Sequence, residues 1–172
     1  ISLLNSLVVE VNAQYTDYEP TNAARRIQEF VDEHLSNWYV RLCRRRFWKG
    51  VYSQDKIAAY QILYQWLVTL AKLSAPIAPF FSDWFFKNLN DITKCEEVAS
   101  VHLSQFPKAD QTLINPALEQ RMSYAQRLAS LVLSLRKKES IRVRQPLQRI
   151  LLPVLDKSFA EQVDQVKELI LS

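Results

Sequence analysis

The run Leu35-Ser36-Asn37-Trp38-Tyr39-Val40-Arg41-Leu42-Cys43-Arg44-Arg45-Arg46-Phe47-Trp48-Lys49-Gly50 decides how the rest of the chain is read. Around it, Ala24, Ile27, Val31, Leu35, Trp38 and Leu42 recur at three- and four-residue spacing. That pattern predicts one amphipathic helix, opened by Thr21 behind Pro20 and running to about Trp48, with Gly50 ending it. Trp38 falls on the apolar stripe and is read as core, while the place of Tyr39 stays open. On another face Asn37, Arg41, Arg44 and Trp48 stand at i, i+4, i+7 and i+11, a polar line that ends in a flat ring.

Upstream, Ile1, Leu4, Val8, Val11 and Tyr15 mark a helix already in progress at the first residue. With no initiator methionine, and an equally abrupt end at Leu169-Ile170-Leu171-Ser172, both termini are expected to be cuts in a longer chain. Downstream, a helix is expected from about Gln54 to Leu73, with Ile57, Tyr60, Tyr64, Leu67 and Leu70 or Ala71 inward and Asp55 in its first turn. Pro76 and Pro79 stop it. A short helix from Pro79 to about Leu89 carries Phe80, Phe81, Trp84, Phe85 and Phe86, read as core rather than as a platform for bases.

Residues 90–114 lack helical periodicity and read as an extended crossover, with His102 a structural hydrogen-bonding residue. Asn115 then offers an N-cap and Pro116 a first helical position for a long helix ending near Glu139, with Leu118, Met122, Ala125, Leu128 or Ala129, Val132 and Leu135 inward. After it, Ile141-Arg142-Val143-Arg144 alternates with period two and Ile150–Val154 resembles a buried strand, before Ser158–Leu171 returns to helix. The expected architecture is mainly α: a helical bundle over residues 1–140, then the start of a small α/β element over 141–172.

Composition narrows the function. The 172 residues suffice for one domain with a sizeable core, or one domain and a small appendage. Gly50 is the only glycine where average usage of about 7% would give roughly a dozen, so neither a GxGxxG nor a GxxxxGK[ST] phosphate loop can be written. Cys43, Cys95, His34 and His102 lack the close spacing of metal sites, and two free thiols suit a reducing, cytoplasmic setting. No apolar run reaches the ~20 residues of a membrane span. No cofactor is expected.

The net charge of +4 conceals an asymmetry. Arg41, Arg44, Arg45, Arg46 and Lys49 carry +5, with no acid between Glu33 and Asp55; Arg136, Lys137, Lys138, Arg142, Arg144 and Arg149 with Glu139 carry another +5. Against a total of +4, that leaves −6 on the remaining residues. Charge confined in this way implies a localised anionic partner.

Four segments resemble the anticodon-binding domain of isoleucyl-tRNA synthetases, in that family's order. They are Leu35-Ser36-Asn37-Trp38-Tyr39-Val40-Arg41 continuing Arg44-Arg45-Arg46-Phe47-Trp48; Thr69-Leu70-Ala71-Lys72-Leu73-Ser74-Ala75-Pro76-Ile77-Ala78-Pro79-Phe80; Ser100-Val101-His102-Leu103 with Phe106-Pro107; and Ile141-Arg142-Val143-Arg144-Gln145-Pro146-Leu147. The proline turn is shared with valyl and leucyl enzymes, so the arginine helix and Val-Arg-Gln-Pro-Leu favour isoleucine. The resemblance implies a non-catalytic piece of a ligase. The adenylate-forming domain with its HIGH and KMSKS motifs, the ATP it uses, and the editing domain would precede this bundle in the same parent chain.

It also implies the partner, tRNA(Ile), with no role for membrane or DNA. RNA loops are recognised by stacking on aromatic or guanidinium planes and by contacts to base edges and phosphates. Asn37, Arg41, Arg44 and Trp48 offer such groups, Arg45, Arg46 and Lys49 would neutralise phosphates, and Arg142 and Arg144 would form a second strip. Two competing readings are weaker. An enzyme would need a catalytic cluster, and Asp83, Glu96 and Glu97 are too scattered to supply one. A protein-interaction module would use the apolar face of Ile1–Val11.

Overall fold

The computed structural model describes residues 1–154 and 156–171. They pack as two compact units, residues 1–114 and residues from Asn115 onward. The expectation of a mainly α chain holds throughout.

In the first unit, helix α1 (Ser2–Thr16) buries Leu4, Leu7, Val8 and Val11; of the predicted stripe, Ile1 is exposed and Tyr15 half-buried. A left-handed Tyr18 turns the chain into α2 (Pro20–Glu29), whose first residue is Pro20, one position before the predicted opening at Thr21. Proline suits that position because it lacks the amide hydrogen that the first turn leaves unpaired. Arg26 Nε reaches across to Glu10 Oε2 at 2.6 Å, tying α2 to α1.

Beyond Glu29 the chain continues without a break through a π-helical segment, Phe30–Val40, into α3 (Arg41–Trp48). The backbone stays right-handed helical at both junctions, with φ/ψ of −56/−43° at Glu29 and −62/−47° at Arg41. A π-helix bonds i to i+5 and so turns less per residue than an α-helix. The buried positions record this. They run Ala23, Ile27, Phe30, then Leu35 and Cys43, with Tyr39 half-buried between them.

The predicted stripe assumes α geometry throughout, and it fails where that geometry stops. Val31 and Trp38 are only half-buried and Leu42 is exposed, and within α2 the half-buried Ala24 yields its core place to Ala23. At about 100° per residue, a pure α-helix would swing Cys43 roughly 160° away from Ile27. The π segment cancels that rotation and keeps both on the core side.

Helix α4 (Gln54–Ser74) is capped by Ser53, whose Oγ accepts from Lys56 N at 3.3 Å. It buries Ala59, Trp66, Val68, Leu70, Ala71 and Leu73, while Ile57 and Tyr60, predicted inward, are exposed and Tyr64 and Leu67 half-buried. Trp66, which the pattern omits, meets Phe30 and Tyr39 with ring centroids 5.0 and 5.1 Å apart. The main core joins α1, α2, the π segment and α4 through Leu7, Ile27, Phe30, Trp66 and Leu73.

Helix α5 (Pro79–Thr93) outruns its predicted end. Phe86 is core, with Val68, Ala71 and Val101, and Phe85 is half-buried. The core reading fails for Phe80, Phe81 and Trp84; Phe80 is 91% exposed. In an amphipathic helix only one stripe faces the core, so five aromatics within seven residues cannot all be buried by a single neighbour.

The crossover is pinned by side chains that take up its backbone groups. Asn5 Oδ1 accepts from Asp110 N at 2.8 Å, and Asp83 Oδ1 accepts from Ser100 Oγ at 2.6 Å and Val101 N at 3.1 Å. Lys72 holds both carboxylate oxygens of Glu96 at 2.9 and 3.0 Å. Asp83 and Glu96 are thus fold clamps. His102 is exposed and bonds through its backbone N–H, to Ser100 Oγ.

In the second unit, α6 (Pro116–Lys138) opens on Asn115 as expected, with Asn115 Oδ1 accepting from Leu118 N at 3.0 Å. Ala125 and Leu128 are buried, Met122, Ala129 and Val132 half-buried, and Leu118 and Leu135 exposed, contrary to expectation. Helices α7 (Lys157–Asp164) and α8 (Lys167–Leu171) pack on α6, with Tyr124 and Phe159 edge to face at 5.2 Å.

The strands expected at Ile141–Arg144 and Ile150–Val154 are not formed, and no strand occurs among the described residues. Left-handed Ser140 throws the chain into turns, where Arg136 Nη1 donates to Arg142 O at 3.0 Å and Gln145 O at 2.8 Å. A strand exists only through a partner that pairs with it. These carbonyls are already taken, Pro146 and Pro153 lack donors, and Leu151 and Val154 are exposed.

Candidate nucleic-acid interface

Helix α3 stands on an aromatic ladder. Phe47 meets Tyr60 at 5.0 Å with the rings tilted by 42°, and Tyr39 at 6.3 Å, and Tyr39 in turn meets Trp66. Tyr60 Oη donates to Phe47 O at 3.0 Å and Tyr39 Oη to Ala59 O at 2.9 Å. Burial pushes the Tyr39 hydroxyl up to about 12, so it donates as the neutral phenol well past neutral pH. Each ring pair adds about 0.5–1.5 kcal/mol beyond simple burial, which fixes the rotation of α3 about its axis.

That rotation puts Cys43 inside and the basic groups outside. Arg41, Arg44, Arg45 and Trp48 form one exposed face opposite Cys43, and Lys49 follows at the helix end. Among the described residues none of Arg41, Arg44, Arg45 and Lys49 makes an ion pair or a side-chain hydrogen bond. Asn37, on the π segment, is exposed one turn before Arg41. Trp48 is 79% exposed.

Arg46 departs from the set. It is half-buried, and its Nε and Nη2 hold the two carboxylate oxygens of Asp55 at 2.8 and 2.6 Å, with Nη1 3.5 Å from Cys43 Sγ. It braces α3 against α4, and Asp55 cancels its charge. The +5 window therefore offers +4 to a ligand.

Arg142 and Arg144 lie exposed on the turn after α6, in the second unit, where the period-two face expected to align them does not exist. Arg136 serves that turn as donor. Tyr52 escapes the sequence patterns because it sits between helices with no periodic neighbour. It is 80% exposed, four residues beyond Trp48, across the positive-φ turn at Gly50. The one available signal was an aromatic next to a run of unpaired cations.

A face of unpaired guanidinium groups ending in an uncovered indole suits a polyanion with exposed bases. Residues 1–151 match the family model described as the anticodon-binding domain of tRNA ligase. The chain belongs to this family. As an anticodon-binding domain it is similar to a segment of isoleucine–tRNA ligase of Cytophaga hutchinsonii, 55% identical over 99% of the chain. The corresponding enzymes of Bacteroides fragilis and Clostridium tetani are 50% and 40% identical over 100% and 90% of it. The domain spans 15% of the length of these curated relatives. No helix among the described residues is long and apolar enough to cross a membrane.

Proposed function

We propose that this anticodon-binding domain holds the anticodon stem-loop of an isoleucine tRNA while a catalytic part of the same ligase polypeptide charges the acceptor end. The observation that carries the reading is the face of Arg41, Arg44 and Arg45, free of ion pairs among the described residues and continued by Asn37, Trp48 and Lys49. Guanidinium groups without a carboxylate partner among the described residues retain their charge for phosphates, and their planes for bases. The relatives named above are isoleucine–tRNA ligases, which supports the choice of tRNA.

In this reading Arg41 and Arg44 each contact a phosphate, Asn37 reads a base edge, and Trp48 stacks. Lys49 and Arg45 add charge at the rim. Arg142 and Arg144 form a separate strip on the second unit. ATP is used by the catalytic part, because one glycine cannot write a phosphate-cradling loop here. The setting is the cytoplasm, where the exposed thiol of Cys95 stays reduced.

Binding of the chain to transcribed isoleucine and valine tRNAs across a salt series tests this, with Arg41→Ala, Arg44→Ala beside it. Tighter binding of isoleucine tRNA, falling steeply with salt and weakened in the double variant, is the expected result. Equal binding of both tRNAs would remove the isoleucine assignment, and absence of salt-sensitive RNA binding would remove the RNA reading itself.

A further inference from the structure

Lys56 is the one buried lysine among the described residues, 8% exposed in the first turn of α4. No carboxylate among those residues pairs with it, although Asp55 is its neighbour in sequence, because Asp55 is taken by Arg46. Its Nζ lies 5.0 Å from the centroid of the Tyr52 ring, and that ring is otherwise in the open. A cation against an aromatic face holds the ring at a fixed tilt and is worth most when the cation is shielded from water.

The chain around Tyr52 is fixed too. Gly50 makes the turn at φ 84°, which non-glycine residues adopt only with strain, and Ser53 caps α4 one residue after Tyr52. The phenol is therefore presented by a braced segment, with one face on a cation and the other free. No neighbour in its own unit uses that surface.

We infer that Tyr52 is a second base-stacking ring of the interface, taking an unpaired nucleobase of a single-stranded RNA loop on its open face, and that Lys56 is the residue that positions it. This rests on the RNA reading of the α3 face. Trp48 and Tyr52 are four residues apart, a reach of at most about 14 Å, so two successive or next-nearest bases of one loop would span them. Lys56 supplies positive charge beneath the stacked base, which favours the nearby phosphates as well.

The probes are an anticodon stem-loop hairpin of an isoleucine tRNA and the same hairpin with its loop bases removed one at a time. The 172-residue chain is compared with its Tyr52→Ala, Tyr52→Phe, Lys56→Met and Lys56→Arg variants, each checked for helical content by circular dichroism. Tyr52→Ala is expected to weaken hairpin binding roughly 5- to 150-fold, the range for losing one base–aromatic stack, with the salt slope unchanged. Tyr52→Phe and Lys56→Arg retain affinity, and Lys56→Met loses part of it. One abasic hairpin should bind the wild type and Tyr52→Ala equally.

If Tyr52→Ala binds like the wild type while Arg41→Ala, Arg44→Ala loses affinity, the stacking role of Tyr52 is wrong and the RNA reading survives. If every abasic hairpin preserves the difference between wild type and Tyr52→Ala, the ring acts on folding and the proposal falls. If the wild type shows no salt-sensitive hairpin binding, both inferences fall together.

Discussion

Arg46 and Asp55 are joined by two parallel hydrogen bonds, Nε to Oδ2 at 2.8 Å and Nη2 to Oδ1 at 2.6 Å, and Nη2 also donates to Asp55 O at 2.9 Å. One arginine of a three-arginine run thereby leaves the basic face and becomes a brace between α3 and α4. Its immediate neighbours Arg44 and Arg45 stay exposed.

The first prediction separates these roles by salt dependence. Each phosphate contact in single-stranded RNA contributes about 0.7 to the slope of log affinity against log salt. Arg41→Ala and Arg44→Ala should each lower that slope by about this amount, whereas Arg46→Ala should leave it unchanged. The same Arg46→Ala should cost about 0–1 kcal/mol of folding stability, the usual worth of a solvent-exposed pair. Equal slope changes for Arg44→Ala and Arg46→Ala would mean that Asp55 releases Arg46 to the RNA.

The second prediction tests the register of the π segment. Leu35 is buried and Leu42 lies exposed, although a continuous α-helix would place both on one stripe. Leu35→Ala should therefore destabilise the fold by about 2–5 kcal/mol in denaturant titration, and Leu42→Ala by about 1 kcal/mol or less. Similar losses for the two would return the segment to α geometry.

The third concerns α5. Phe86→Ala should cost about 3–5 kcal/mol, as deletion of a fully buried ring does, and Phe80→Ala about 0.5 kcal/mol or less. A large loss at Phe80, measured on the same chain, would restore the reading of these aromatics as one core.

The legibility of this chain followed the range of the interactions. Helix starts were legible where they rest on local chemistry: Asn115 with Pro116, and Pro79 at the head of α5. The positions of the exposed arginines were legible as well, since a cation-rich face opposite apolar residues has few places to go. The register beyond Phe30 was not, because the shift from i+4 to i+5 bonding is settled by the packing of Phe30, Tyr39 and Trp66 and leaves no mark in spacing. The capture of Arg46 by Asp55 was hidden for a similar reason: nine residues and a turn separate them. The two expected strands failed because alternation records a surface that suits a sheet, while pairing needs a second strand.

The fourth prediction follows from two tyrosines whose hydroxyls donate to carbonyls of α4, Tyr15 to Leu73 O at 2.8 Å and Tyr39 to Ala59 O at 2.9 Å. Burial raises both from 10.0 to about 12. The folded chain then holds these protons more tightly than the unfolded chain, so between the two values the native state binds more protons and stability falls as pH rises. Their contribution is complete below about pH 10 and is lost as pH climbs through about 12. Denaturant midpoints measured from pH 8 to pH 12 should hold steady and then drop above about 10. Tyr15→Phe and Tyr39→Phe should each give a lower plateau, by about 0.5–1.5 kcal/mol for the lost hydrogen bond, and a shallower fall. A fall of undiminished steepness in the double variant would place the alkaline transition on other groups and leave these hydroxyls without the burial that the packing of α1, the π segment and α4 requires.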